Sequence, residues 1–377
     1  MSAPDARPWP LDPPYGAQAI RALHAALFAL GHRVTYDAVA VASGEAFAFA
    51  WDRAGSDDIL VTARPLPIIA RGAAAVGAEL AWMPPGEALD VAQAVRASLA
   101  RGSLAVAPLG GPERAFRYGV ITAMSATGRA TVSGLAASPV QTQLGHGWYG
   151  PVLDGATWRR NPVASVSRGS PLAVEFAGVL ATAHQMLAGA RHPYPDGWDV
   201  AWPGAGPSAG TAWASGVAGL EALQTDLGGD GLDRLSPALL THVDALVGQL
   251  AHGFECAWQW FDAEQRLSQR LSQRHATACA RAARHVRGFA RELAERCWDP
   301  SGRASLPALG DAVRHRKSLV YALPDGVAAG AVPGEVVESR LGRGVVVATA
   351  ARWRGVLELA RRLLEAVRAF HALTGGG

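Results

Sequence analysis

Residues 15–51, from Tyr15 to Trp51, read YGAQAIRALHAALFALGHRVTYDAVAVASGEAFAFAW. Ile20, Leu23, Leu27 and Leu30 recur three and four residues apart, which makes one apolar stripe and predicts a helix over 17–30. Gly31 stops it, because glycine enters the left-handed cap conformation without a Cβ penalty. Residues 32–35 form a short connection and 36–42 a second helical turn or two. Ser43-Gly44-Glu45 breaks that helix, and 46–51 is small and aromatic.

Working outward, residues 1–14 carry Pro4, Pro8, Pro10, Pro13 and Pro14 and read as an extended arm. Residues 59–61 form a short strand, 65–76 a helix and 78–83 a strand ended by Pro84-Pro85. Residues 86–100 are amphipathic, with Leu89, Val91, Ala92, Val95 and Leu99 inward. Residues 103–107, 117–124 and 129–133 read as strands, with the Thr127-Gly128 turn signal between the last two. Residues 147–153 and 163–167 complete the sheet. Helices followed by an antiparallel meander give the α+β class. From Pro171 the chain reads as helices: 172–188, 209–227, two or three within 236–298, 306–322, and 336–370 with a break near Gly342–Gly344. The organisation expected is residues 1–168 as an α+β domain and 169–377 as an all-α domain.

A buried N-terminal helix entered from a loop is how papain-like cysteine enzymes present a nucleophile, because the helix N-terminus lowers a thiol pKa. Leu30-Gly31, Val34-Thr35-Tyr36-Asp37, Ser43-Gly44, Ala46-Phe47 and Trp51 resemble the N-terminal part of the peptidase C39-like group. More narrowly, they resemble the N-terminal domain family of butirosin biosynthesis protein H, an amide-forming acyltransferase. RGSLAVAPLGGPERAFRYGVITAMSATGRATVSGL, residues 101–135, resembles that family's paired strands, and GTAWASGVAGLEALQTDL, residues 210–227, its helical partner.

The resemblance implies a papain-like fold with a catalytic Cys opening the first helix, a His starting the second strand and an Asp or Asn orienting it. Those positions fall at about Ala17, at Arg117 or Tyr118, and near Ala136. None of the three residue types is present, and a triad without thiol and imidazole has nothing to activate. Gln18 stands near where an oxyanion-hole Gln would be sought. The amides of Gly16 and Gln18 would still favour an anion at the helix N-terminus. Tyr36, Glu45, Glu113 and Tyr118 are the polar residues that a C39-like arrangement brings toward one cleft, where they would hold an amine-bearing ligand. The alternative is structural: tyrosine packing, and Glu113 at a turn beside Pro112.

Composition narrows the rest. The 377 residues are 49% hydrophobic and 18% charged, with a formal charge of +3 and one lysine, Lys317. So small a net charge argues against a dedicated nucleic-acid binder. No apolar run reaches the roughly 18 residues of a membrane helix, and the N-terminus has no apolar signal core. Cys256, Cys279 and Cys297 are odd in number and lie in helical sequence, which suits reduced cytosolic thiols and a cytoplasmic location.

Other candidates weigh against plainer readings. Gly206-Pro207-Ser208-Ala209-Gly210 matches a nucleophile elbow but lacks the preceding strand, so Ser208 reads as a helix N-cap. His275 and Cys279 share a helix face without a third metal ligand at matching spacing, and read as core. Cys256, among Trp258, Trp260 and Phe261, is either a replacement nucleophile or an aromatic-cluster thiol, the latter favoured. Arg266, Arg270 and Arg274, continued by Arg281, Arg284, Arg287 and Arg291, lack interleaved aromatics and read as a solvated or acid-paired face.

The function expected is a non-catalytic C39-like protein binding a small molecule, peptide or carrier protein in a biosynthetic setting. It needs no cofactor and no metal, and homo-oligomerisation is left open. Two alternatives stand beside it: an acyltransferase or amidohydrolase with Cys256 or Ser208 as nucleophile, and a structural assembly subunit.

Overall fold

The computed structural model describes residues 17–52, 65–84, 86–109, 117–124, 129–133, 140–143, 162–189, 213–228, 250–264, 271–299, 336–339, 342–346 and 350–375. The expected strands 59–61 and 147–153, the helix 306–322 and the proline arm lie outside them. The helices are α1 (Ala17–Ala29), α2 (Tyr36–Ser43), α3 (Pro65–Ala75), α4 (Ala88–Ala100), α5 (Phe176–Leu187), α6 (Gly216–Gly228), α7 (the helical residues 250–264), α8 (Leu271–Cys297) and α9 (Ala350–Thr374). The strands are β1 (Ala50–Asp52), β2 (Glu79–Met83), β3 (Leu104–Leu109), β4 (Arg117–Met124), β5 (Arg129–Ser133), β6 (Val140–Gln143), β7 (Val163–Ser167), β8 (Trp213–Ser215), β9 (Trp298–Asp299), β10 (Val336–Ser339) and β11 (Gly342–Val346).

The chain forms two compact units, each mixing helix and sheet. The first holds α1–α4 and β2–β7, and the second holds β1, β8–β11 and α6–α9. The chain passes from one to the other after Glu45 and again within α5, after Thr182. The sequence reading instead placed one cut at residue 168.

In the first unit an antiparallel sheet runs in the order β2-β7-β3-β4-β5-β6. β3 to β5 are the meander strands that the alternating pattern and the turn signal predict, and β6, which the sequence pattern does not predict, extends it. β7 inserts between β2 and β3, pairing Val163–Ser167 with Met83–Glu79 on one side and with 104–106 on the other. Because side chains alternate along a strand, the sheet has two distinct faces. Met83, Ala105, Ala107, Ile121, Ala130 and Val163 pack with Val91, Ala92 and Val95 of α4 on one. Val106 and Val120 are register partners of opposite parity, buried on the other face. α1 packs on β3 and β4, with Ile20, Leu23 and Leu27 fully buried, and α2 and α3 pack against α1. Leu89, expected inward, is 78% exposed. It lies one residue into α4, off the buried 91/92/95 stripe.

α2 has complete caps. The Thr35 hydroxyl accepts from the Ala38 amide at 3.2 Å, and Gly44 ends the helix at φ +86° with its amide on the Val41 carbonyl.

The second unit corrects three expectations. It is not all-α, because β1 pairs antiparallel with β8, and β10, β11 and β9 form a three-stranded sheet. Residues 336–339 and 342–346 are paired antiparallel strands rather than helix. Val336, Val337, Val345 and Val346 are β-branched and prefer strand, and Ser339 pairs with Gly342 across a two-residue link. The helix expected from 209 starts at Gly216, where φ is +61° and the amide donates to the Phe49 carbonyl at 2.9 Å. Phe47, Phe254, Phe261, Phe370 and His275 make the aromatic core. Among the described residues no helix is long and apolar enough to cross a membrane.

Candidate functional site

The apolar stripe of α1 seats it on β3 and β4, so its opening at Ala17 and the strand start at Arg117–Tyr118 belong to elements in contact. Tyr118 is buried, paired in register with Pro108 on β3. Gly16, Glu113 and Ala136 lie outside the described residues. Gln18 and Ala17 are placed as the first turn of α1 and Arg117 as the first residue of β4.

The histidines described in this unit are structural. His24 donates from Nε2 to the Val34 carbonyl at 2.9 Å, and Tyr36 meets its ring edge-on at 5.8 Å. This clasp ties α1 to Tyr36 at the start of α2. Burial holds the His24 pKa below the ordinary histidine value, with the Val34 bond opposing. His32 is buried, its Nε2 2.7 Å from the Arg168 carbonyl oxygen.

Glu45 is only 4% exposed, and its amide donates to Ser43 Oγ at 3.2 Å. Ser43 Oγ in turn donates to the Ala40 carbonyl at 3.0 Å. Arg71 of α3 donates from Nε to the Ser43 carbonyl at 2.7 Å. Burial lowers the Arg71 pKa and the nearby Glu45 charge opposes that. Glu45 and Arg71 therefore join the C-terminus of α2 to α3 as a charged corner in which Glu45 is buried and Arg71 partly exposed. Arg71 escaped the sequence reading, although a single charge in PLPIIARGAAA is the signal that marks it.

In the second unit the Cys256 thiol lies 3.7 Å from His252 Nε2, one helical turn away on α7. Burial lowers the His252 pKa, with Glu255 opposing, which favours the neutral imidazole whose Nε2 contacts the thiol. A thiol beside a neutral imidazole is the pairing that activates cysteine nucleophiles. Cys256, however, is 3% exposed, so an acyl donor cannot meet it without local opening. Cys279 is fully buried, which pushes its thiol pKa well up.

His275 stacks on Phe261 at 5.5 Å, with Nε2 3.4 Å from the Leu373 carbonyl oxygen. The pair at 275 and 279 therefore packs a core. Among the described residues no three His, Cys, Asp or Glu converge to hold a metal ion. Ser208, Arg266 and Arg270 lie outside the described residues.

Arg274, Arg281, Arg284 and Arg287 are exposed on α8, and Arg287 is ion-paired with Glu255. His285 is depressed by burial and then by Arg281, Arg362 and Arg284, with Glu365 opposing. Along α9, Glu358 bonds Arg361 and Arg362, which lowers its carboxyl to about 2. Acid pairing thus accounts for Arg287, while Arg274, Arg281 and Arg284 are solvent-exposed.

Set against known protein families and curated proteins, the chain matches no family model and none of those proteins.

Proposed function

We propose that the protein is a non-catalytic, papain-like (C39-like) binding protein, whose first unit takes a small molecule, peptide or carrier-protein partner. One observation supports this most. The unit built on α1 and its sheet contains no cysteine, since the first in the chain is Cys256, and its described histidines, His24 and His32, are held against backbone carbonyls. Without a thiol, the first turn of α1 at Ala17–Gln18 offers amides and a positive dipole end, which favour binding over turnover.

A second reading, an acyltransferase or amidohydrolase, is favoured by the thiol–imidazole contact of Cys256 with His252 and opposed by the burial of that thiol. One experiment separates the two. Hydrolysis and amide formation are followed with an activated N-acetylcysteamine thioester, for the native protein and for Ala17→Cys. No saturable rate is expected in either, because a restored thiol with no base keeps a pKa near its free value of about 8.5. A saturable native rate that Cys256→Ser abolishes would establish the second reading instead.

A further inference from the structure

Two histidines at helix C-termini in the second unit have no place in that function. His184 closes α5 and His371 lies in the last turn of α9. Their ring centroids are 4.7 Å apart, tilted by 31°. The Thr374 hydroxyl donates to the His371 carbonyl at 2.7 Å, so its oxygen is left to accept from His184 Nδ1, 3.4 Å away. The His371 ring is hydrogen-bonded to the His184 backbone. Its Nε2 is buried and has no hydrogen-bond partner among the described residues. The ring bond to a carbonyl therefore runs from Nδ1–H, and the Nε2 lone pair is enclosed. The chain then passes the His184 ring so closely that a Cβ on Gly375 would lie 3.0 Å from His184 Cε1.

We infer that His184 and His371 form an acid-sensitive latch, which holds the last turn of α9 on the end of α5 while the His371 ring is neutral and releases it when that ring charges. A proton on His371 would occupy the enclosed Nε2, which has no acceptor among the described residues, in a ring stacked 4.7 Å from that of His184. Both effects disfavour the charged form in the latched state. The other ionisable groups at this turn are few. His275 of α8 reaches the Leu373 carbonyl, and Arg368 is paired with Glu221 of α6. His184 is the charged group that acts on the His371 ring, and it acts in the same direction as burial, toward a lowered pKa. A histidine depressed in the latched state and ordinary when released costs latch stability as pH falls below its ordinary 6.5, and nothing above it.

The test is hydrogen–deuterium exchange of the full-length protein at about pH 7.5 and 5.5, corrected for intrinsic rates. In the native chain, protection over residues 370–375 is expected to fall several-fold, up to about tenfold, because pH 5.5 lies one unit below the ordinary 6.5 at which a released histidine charges. His371→Phe keeps a flat ring that cannot titrate, and His184→Gln keeps a donor for Thr374; either should hold the fall to less than about twofold. If His371→Phe fails to fold, the exposed His184→Gln decides alone. Equal protection at both pH values in the native protein would overturn the latch. So would an undiminished fall in His184→Gln, or a fall that only His275→Asn abolishes.

Discussion

Two helical glycines of the second unit should respond to alanine with opposite signs. Alanine is favoured over glycine in a helix interior by about 1 kcal/mol, since glycine loses more backbone entropy on folding. Gly288, in α8, has room for the gain, because a Cβ there would find Leu359 Cδ2 at 3.9 Å, an ordinary contact. Gly253, in α7, does not. A Cβ there would lie 2.2 Å from the Ala46 carbonyl oxygen and 2.8 Å from its carbon, and backbone cannot rotate away as a side-chain tip can. Overpacking of this kind costs about 3 kcal/mol when main chain must shift. Net of propensity, Gly253→Ala should destabilise by roughly 2 kcal/mol and Gly288→Ala stabilise by roughly 1. At about 2–4 °C per kcal/mol for units of this size, the first lowers the midpoint of thermal unfolding by roughly 4–8 °C and the second raises it by 2–4 °C. Circular dichroism at 222 nm on the full chain reads both. A midpoint for Gly253→Ala at or above the native one would refute the close approach of residue 46 to α7.

Other consequences are directly measurable. Arg71→Leu should leave the Glu45 charge buried beside an apolar side chain and cost about 2 kcal/mol. That is below the roughly 3–5 kcal/mol of fully buried pairs, because Arg71 is partly exposed; a urea midpoint within error of the native value would contradict the charged corner. Trp51→Phe removes the indole donor to Asp226 Oδ2 at 2.8 Å and should cost about 2 kcal/mol, with an unchanged melting curve as the contrary result. His24 and His252 both have pKa values depressed by burial. The unfolded chain therefore binds more protons than the folded one just below their ordinary 6.5, and stability should fall as pH drops through that value and stay flat above it. Denaturation midpoints at several pH values test this, and a rise in stability on acidification would reverse the sign. Cys279, fully buried with a raised thiol pKa, should react with a disulfide reagent only on unfolding; prompt labelling of the native protein would place it at the surface.

Sequence alone determined what is local. The three- and four-residue spacing of Ile20, Leu23 and Leu27 made α1 and named its buried face, and the alternation through 103–133 made the meander strands. Thr35 and Gly44 set the ends of α2 by chemistry within one turn. The missing thiol of the first unit was also legible, because an absent residue needs no fold to be absent. Tertiary structure decided what depends on partners distant in the chain. β7 enters between β2 and β3 because its apolar run finds burial on both sides of those strands. Residues 50–52 join the second unit because they pair with 213–215, a choice no local pattern encodes. The paired strands at 336–339 and 342–346 compete with a helical reading that composition alone leaves equally good, and pairing with Trp298–Asp299 extends them to three strands. The carboxylate of Glu45 carries no sign in sequence of its neighbour. Only packing brings Arg71 of α3 beside it, and a buried charge is tolerable where an opposite charge is close.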